Sequence, residues 1–166
     1  GGSKFSSAAV ITPQVISEIE ALSGFAPLHN PHNLVGIRQA MKFFPTAPHV
    51  AVFDTAFHQT LAPYAYLYGL PYDLYKKEGI RRYGFHGTSH RYISLKAAEV
   101  LKRPLGELEI ISCHLGIGSS ICAIDHGRSV DTTMGMTPAD GLIMASRAGS
   151  IDPAVMIHLM DRHGMS

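Results

Sequence analysis

Two apolar runs, residues 108–115 and 119–125, are separated by Gly116-Ile117-Gly118 and constrain this chain more than any other feature. Ile110, Ile111, Ile121 and Ile124 favour extended backbone, and the glycines permit a tight reversal, so the pair reads as two antiparallel strands. His126-Gly127 turns the chain again into 128–131. The second half therefore contains sheet, and the elements around it decide the fold class.

Those elements are helical. Thr12-Pro13 precedes Val15, Ile16, Ile19 and Leu22, an N-cap hydroxyl and first-turn proline ahead of apolar residues three to four apart, and the helix stops at Gly24. A second helix is expected over 33–42, entered from the turn His29-Asn30-Pro31 and ending before Pro45. Residues 49–54 form a short apolar run closed by Asp54, the pattern of a buried strand with a functional group at its C-terminal end. Thr88 and Ser89 offer caps for a helix over 88–101, and Asp152-Pro153 caps a last one over 152–160. Pro63, Gly69 and Pro71 interrupt the chain among several tyrosines, which places a domain junction near residue 60, between parts 1–60 and 61–166. The class is α/β.

Composition narrows the function. With 166 residues, 46% hydrophobic and 16% charged, the chain is neither a disordered tail nor a fibrous repeat. A net charge of +1 provides little field for a nucleic-acid backbone or an anionic membrane surface, and no apolar run has membrane-spanning length. Cys113 and Cys122 are too few for a disulfide framework, so both are expected to be small buried side chains in a cytoplasmic protein. The chain opens on Gly1-Gly2-Ser3, without an initiator Met, so the natural start is expected elsewhere.

Several groups carry chemistry. Gly116 and Gly118 let backbone N–H groups approach an anion, with Ser119 and Ser120 as hydroxyl donors, although an ordinary hairpin turn needs the same glycines. His86 and His90 lie four apart and His29 and His32 three apart, spacings that suit two ligands of one zinc ion or, equally, surface and capping histidines. His86, between Phe85 and Gly87, is alternatively a turn donor to a phosphoryl oxygen. Arg147 lies in a loop of small residues, 145–150, from which a guanidinium would project freely; it matches phosphate or carboxylate geometry but is also common at surfaces. Asp54 is a strand-end carboxylate that must be hydrogen-bonded or reached by solvent.

The ordered motifs Val52-Phe53-Asp54-Thr55-Ala56-Phe57-His58, then 81–90 with Arg81, Arg82, Gly84, His86, Gly87 and His90, then His114-Leu115-Gly116 with Gly118, then Ser129-Val130-Asp131-Thr132, resemble the acetokinase family within the actin and sugar-kinase superfamily. That resemblance covers nearly the whole chain. It implies a duplicated ribonuclease-H-like (actin-like ATPase) α/β fold, with the end of the first lobe and the start of the second present here. It further implies reversible phosphoryl transfer from ATP to acetate, giving acetyl phosphate and ADP, with Mg²⁺ as the ion and homodimerisation through the second lobe. In that scheme Arg147 and His86 stabilise the transferring group, while Asp54 aligns the reactants and helps hold Mg²⁺ through water. His114, Leu115, Gly116, Ile117 and Gly118 seat the nucleotide phosphates, and Leu28, His29, Phe85 and Pro138 line the acid pocket.

Two positions depart from the family pattern: Ile117 stands where Asn is usual, and Ser150 where Asp is usual. The resemblance also places the chain inside a longer protein, because other substrate-binding parts, the adenosine site and a late metal-binding Glu have no counterpart in it. The expectation is an inactive piece of a carboxylate kinase, with exposed sheet edges and apolar faces. The alternatives are a kinase for propionate or another short acid, a nucleotide-binding module without transfer chemistry, and a histidine–metal hydrolase.

Overall fold

A computed structural model describes residues 1–24 and 29–164. The first part packs β1 (Ala9–Val10), α1 (Pro13–Ala21), α2 (Asn30–Phe43) and β2 (Val50–Ala51). Thr12 Oγ1 accepts from Val15 N at 3.2 Å, the cap that Thr12-Pro13 foretold. Phe5, Ile19 and Leu34 form the core here, with Phe53 stacked on Phe5 at 4.1 Å between ring centroids. Each such side chain contributes roughly 1.5–3 kcal/mol on burial.

Two expectations for this part are corrected. α2 begins at Asn30 rather than 33, so His29-Asn30-Pro31 is the entry to the helix and not a separate turn. Pro31 sits in the first turn, where its missing N–H has no partner to lose. The run 49–54 is not a buried strand: only Val50 and Ala51 pair, antiparallel with Val10 and Ala9, and Val50 and Val52 are 56% and 67% exposed. In this antiparallel register 52–54 would lie opposite residues 6–8, which form no strand.

The second part holds short helices α3 (Pro63–Tyr66) and α4 (Tyr72–Glu78), then α5 (Gly87–Leu101), β3 (Glu109–Leu115), β4 (Ser119–Asp125), β5 (Arg128–Thr132) and α6 (Pro153–His163). The sheet order is β3-β4-β5, antiparallel throughout, and Val130 bulges where Ala123 pairs with Asp131 and Ile124 with Ser129. Asp152 caps α6 by accepting from Ala154 N.

One face of this sheet is covered by α5 and the 3-10 turn 56–60. Strand alternation directs Ser112, Ser120, Cys122, Ile124 and Ser129 into that layer, where His58 and His90 meet them with no exposed surface of their own. The other face is open, with Ile111 68% and Leu115 73% exposed. Cys113 lies on the open face and only Cys122 is buried, so the expectation that both cysteines are buried fails for the first. The period-two alternation of β3 puts 113 opposite in sense to 112.

Arg82 fastens the segment after β5 to this layer, its Nη1 donating to the carbonyls of Thr132, Thr133 and Met134 at 2.8–3.1 Å. Arg81, 6% exposed, lays its guanidinium over the Tyr66 ring at 3.8 Å.

Candidate active site

α5 is entered through a strained turn. His86 occupies its N-cap with φ 55°, and Thr88 and Ser89, expected to cap it, lie inside the helix instead. No side chain of α5 itself caps this end; Asp54 does so from outside. His86 N donates to Asp54 Oδ2 at 2.5 Å and Gly87 N donates to the Asp54 main-chain carbonyl at 3.0 Å. A carboxylate at a helix N-terminus satisfies otherwise unpaired amides and complements the helix dipole. Asp54 is exposed, and its other carboxylate oxygen makes no hydrogen bond among the described residues.

His58 fixes the residue before the turn. Its Nε2 donates to the Phe85 carbonyl at 2.9 Å, which leaves Nδ1 of the neutral ring to accept from Ser129 Oγ at 2.8 Å. Burial holds His58 below its ordinary pKa, with opposing help for the charged form from the Phe85 carbonyl. Gly84, at φ +71°, lies flat against this ring: a Cβ there would stand 2.7 Å from His58 Cδ2 and 2.6 Å from the Thr132 methyl.

The ring of His86 stacks on His114 and points Nδ1 at Ser120 Oγ, 3.0 Å away. His114 Nδ1 is itself 2.9 Å from Ser89 Oγ in the first turn of α5. Burial, and after it His114, depresses the pKa of His86. His90 contacts Ser112 Oγ at 2.9 Å through Nδ1 and Ser120 Oγ at 2.8 Å through Nε2. Both of its nitrogens are thus occupied and cannot join His86 in holding a zinc ion.

The hairpin tip meets the Arg147 loop. Ala145 N donates to the Ile117 carbonyl at 3.3 Å, and Ser119 Oγ donates to the Gly116 carbonyl. Ile117 uses only its backbone in this, its side chain being 82% exposed. Arg147 does not project freely from its loop. Its Nη1 donates to the Pro138 carbonyl at 3.3 Å, and its own carbonyl accepts from Met144 N. Ser150 closes the loop by donating to Asp140 Oδ1 at 2.5 Å and accepting from Gly141 N at 3.0 Å. A serine can do both, whereas a second carboxylate beside Asp140 would repel it.

His86 and Arg147 converge on Gly118. A Cβ built there would be 3.2 Å from His86 Nε2 and 3.5 Å from Arg147 Nη1. The absence of a side chain at Gly118 leaves an open corner with two cationic or donor groups on one side and the glycine backbone on the other. Asp54 adds a carboxylate at the His86 end. Of the expected site residues, Asp54, Phe85, His86, His114, Gly116, Ile117, Gly118, Pro138 and Arg147 are therefore assembled around one corner, with Leu115 exposed at the end of β3. Leu28 lies outside the described residues. His29 is the exposed N-cap of α2, and among the described residues no hydrogen bond or ring contact joins its side chain to the cluster.

Sequence reasoning gave no role to His58, Ser112 or Ser129, and Ser120, expected as a hydroxyl donor to an anion, is instead wholly buried with its Oγ between His86 and His90. The signal of this supporting layer was legible only in part, as serines at alternating positions of predicted strands facing histidines at i and i+4 of a predicted helix.

The backbone fold recurs in solved structures. The chain superimposes on the crystal structure of Porphyromonas gingivalis acetate kinase with a TM-score of 0.94 at 49% identity, over 100% of this chain and 42% of that one. It matches a propionate kinase from Francisella tularensis with a TM-score of 0.95 at 47% identity, over 100% and 43%. The fold is thus that of the actin-like ATPases to which these kinases belong. Among curated relatives, it is 58% identical to the acetate kinase of Halothermothrix orenii over 99% of this chain and 42% of the relative. The acetate kinase of Carboxydothermus hydrogenoformans is 54% identical over 100% and 42%. The model of the acetokinase family matches residues 1–166, and the chain belongs to that family. It spans about two fifths of the length of the curated relatives it matches, 42% of each of these two.

Proposed function

We propose that the protein carrying this chain transfers a phosphoryl group reversibly between ATP and acetate, forming acetyl phosphate and ADP. The observation that carries the reading is the convergence of His86 Nε2 and Arg147 Nη1 on the side-chain-free corner at Gly118. In the forward direction an acetate oxygen attacks the γ-phosphorus, an O–P bond forms, and the bond to the bridging oxygen breaks with its electron pair leaving on ADP. No proton needs to move. The demand is for positioning and charge neutralisation, which Arg147 meets with a guanidinium fork and His86 with an Nε2–H donor. The amide-rich tip 116–118 is suited to nucleotide phosphates, with His114 stacked behind it.

Asp54 fits the part of a Mg²⁺-holding carboxylate. The ion is usually bound by one or two carboxylates, waters and substrate phosphates, and Asp54 is exposed with one oxygen uncommitted. When bound, Mg²⁺ would neutralise phosphate charge. Phe85 and Pro138 flank His86 and Arg147, which supports their place beside the acid's methyl group. We place the protein in the cytoplasm as a homodimer, divided into lobes near residue 60.

Propionate is the second acceptor to consider, favoured by the likeness to a propionate kinase. An apolar pocket separates acids differing by one methylene by only about 1–3 kcal/mol. The test is hydroxylamine trapping of acyl phosphate with Mg·ATP and either acid, using this chain and the full product of its gene. Acyl phosphate is expected from the full product alone, with Arg147→Ala lowering its rate about a thousandfold or more. ATP binding by the full product without any acyl phosphate would replace this reading with that of a nucleotide-binding module.

A further inference from the structure

The layer beneath His86 contains a continuous line of side chains: Ser112 Oγ, His90 Nδ1, His90 Nε2, Ser120 Oγ and His86 Nδ1, with successive contacts of 2.9, 2.8 and 3.0 Å. His90 and Ser120 have no exposed surface and Ser112 is 3% exposed, so water does not compete for the two hydrogen bonds of His90. Ser120 has one proton and two imidazole neighbours. Both neighbours are well served only if one donates to the serine oxygen and the other accepts its hydrogen.

We propose that Ser112, His90 and Ser120 are positioning residues that hold His86 as the neutral Nε2–H tautomer, so that its hydrogen faces the transferring phosphoryl group. This rests on the role given to His86 above. A phosphoryl oxygen is only an acceptor, so Nε2 must carry the hydrogen and Nδ1 must accept. Ser120 then donates to His86 Nδ1, His90 Nε2–H donates to Ser120, and Ser112 donates to His90 Nδ1. Every group is satisfied and no charge is buried. The tautomer of a histidine is set by the bond its other nitrogen makes, and here that bond is specified from residues two shells away.

The surroundings agree with neutral rings. His90 is faced by His58, His86 and His114, with Asp54 the one opposing charge, and its pKa is pushed down to about 4 mainly by burial. His86 is faced by His114 and Arg147, against Asp54 alone.

The test uses the full gene product with ¹⁵N-histidine and the β,γ-imido analogue of ATP, and assigns His86 by difference from His86→Gln. A pyrrole-type Nε2 and pyridine-type Nδ1 are expected. Ser120→Ala should lose that pattern and lower kcat roughly 10- to 100-fold with KM for ATP little changed. His90→Gln keeps an amide donor towards Ser120 and should retain tautomer and rate, whereas His90→Leu should behave as Ser120→Ala. A pyridine-type Nε2 in the unsubstituted protein, or Ser120→Ala with unchanged tautomer and kcat, overturns the proposal. Failure of the kinase reading is separately visible as absence of acyl phosphate, because the nitrogen shifts are read without turnover.

Discussion

The imidazoles of His86 and His114 lie face to face, 3.9 Å between centroids and 19° from parallel. One ring enters from the cap of α5 and the other from the end of β3, so the stack joins helix to hairpin at the point where Gly118 turns. Two rings this close resist being charged together, and His114 is the second cause, after burial, of the low pKa of His86.

Replacing His114 by Ala should therefore raise the pKa of His86 towards the ordinary histidine value. Both the removal of the adjacent ring and the admission of water act in that direction. Titration of the His86 ring by NMR reads the shift, and an unchanged or lowered value would contradict it.

Acid should destabilise the fold through His58 and His90. Their folded pKa values lie below 6.5, that of His90 at about 4, so on acidification the unfolded chain binds protons first. Stability from this source is intact above pH 6.5 and falls as the pH drops from there towards 4. Melting temperatures of wild type and His90→Gln should diverge at neutral pH and converge near pH 4. Parallel curves would refute the assignment.

Gly118→Ala and Gly87→Ala should separate function from folding. At 118 the new Cβ presses on His86 and Arg147, whose side chains can yield, so transfer by the full protein should fall by about tenfold or more with little change in melting temperature. At 87 the Cβ would collide with the Asp54 carbonyl, which is backbone and cannot yield, so a stability loss of about 1–3 kcal/mol is expected. Chemical denaturation and trapping assays distinguish the two.

The cysteines should differ in reactivity. Cys122 is wholly buried, bonds with Ser129 at 3.3 Å, and has its thiol pushed up to about 11 by burial, whereas Cys113 is exposed. A thiol reagent at pH 8 should modify Cys113 alone until the protein is unfolded, as mass spectrometry of the peptides would record.

Much of this was determined by sequence alone. The hairpin about Gly116 and Gly118 and the helices that begin at the Thr12 and Asp152 caps follow from local rules, since β-branched runs, turn glycines, cap side chains and first-turn prolines act within a few residues, whereas the short helices 63–66 and 72–78 were not read from the sequence. The motifs around Asp54, His86, Gly118 and Arg147 were legible for the same reason, being contiguous. Tertiary structure alone decided the rest. Asp54 caps a helix 32 residues away along the chain, and the 49–54 run pairs only at Val50 and Ala51 because residues 6–8, opposite 52–54, form no strand. Arg147, which its small neighbours suggested was loose, is drawn against the Pro138 carbonyl by a closed loop. His58 and His90, one of them a candidate zinc ligand in the sequence, become neutral members of a buried serine–histidine layer. The distinction between a metal ligand and a hydrogen-bonded core histidine depends on which side chains face its two nitrogens, and those come from strands 22 to 71 residues distant.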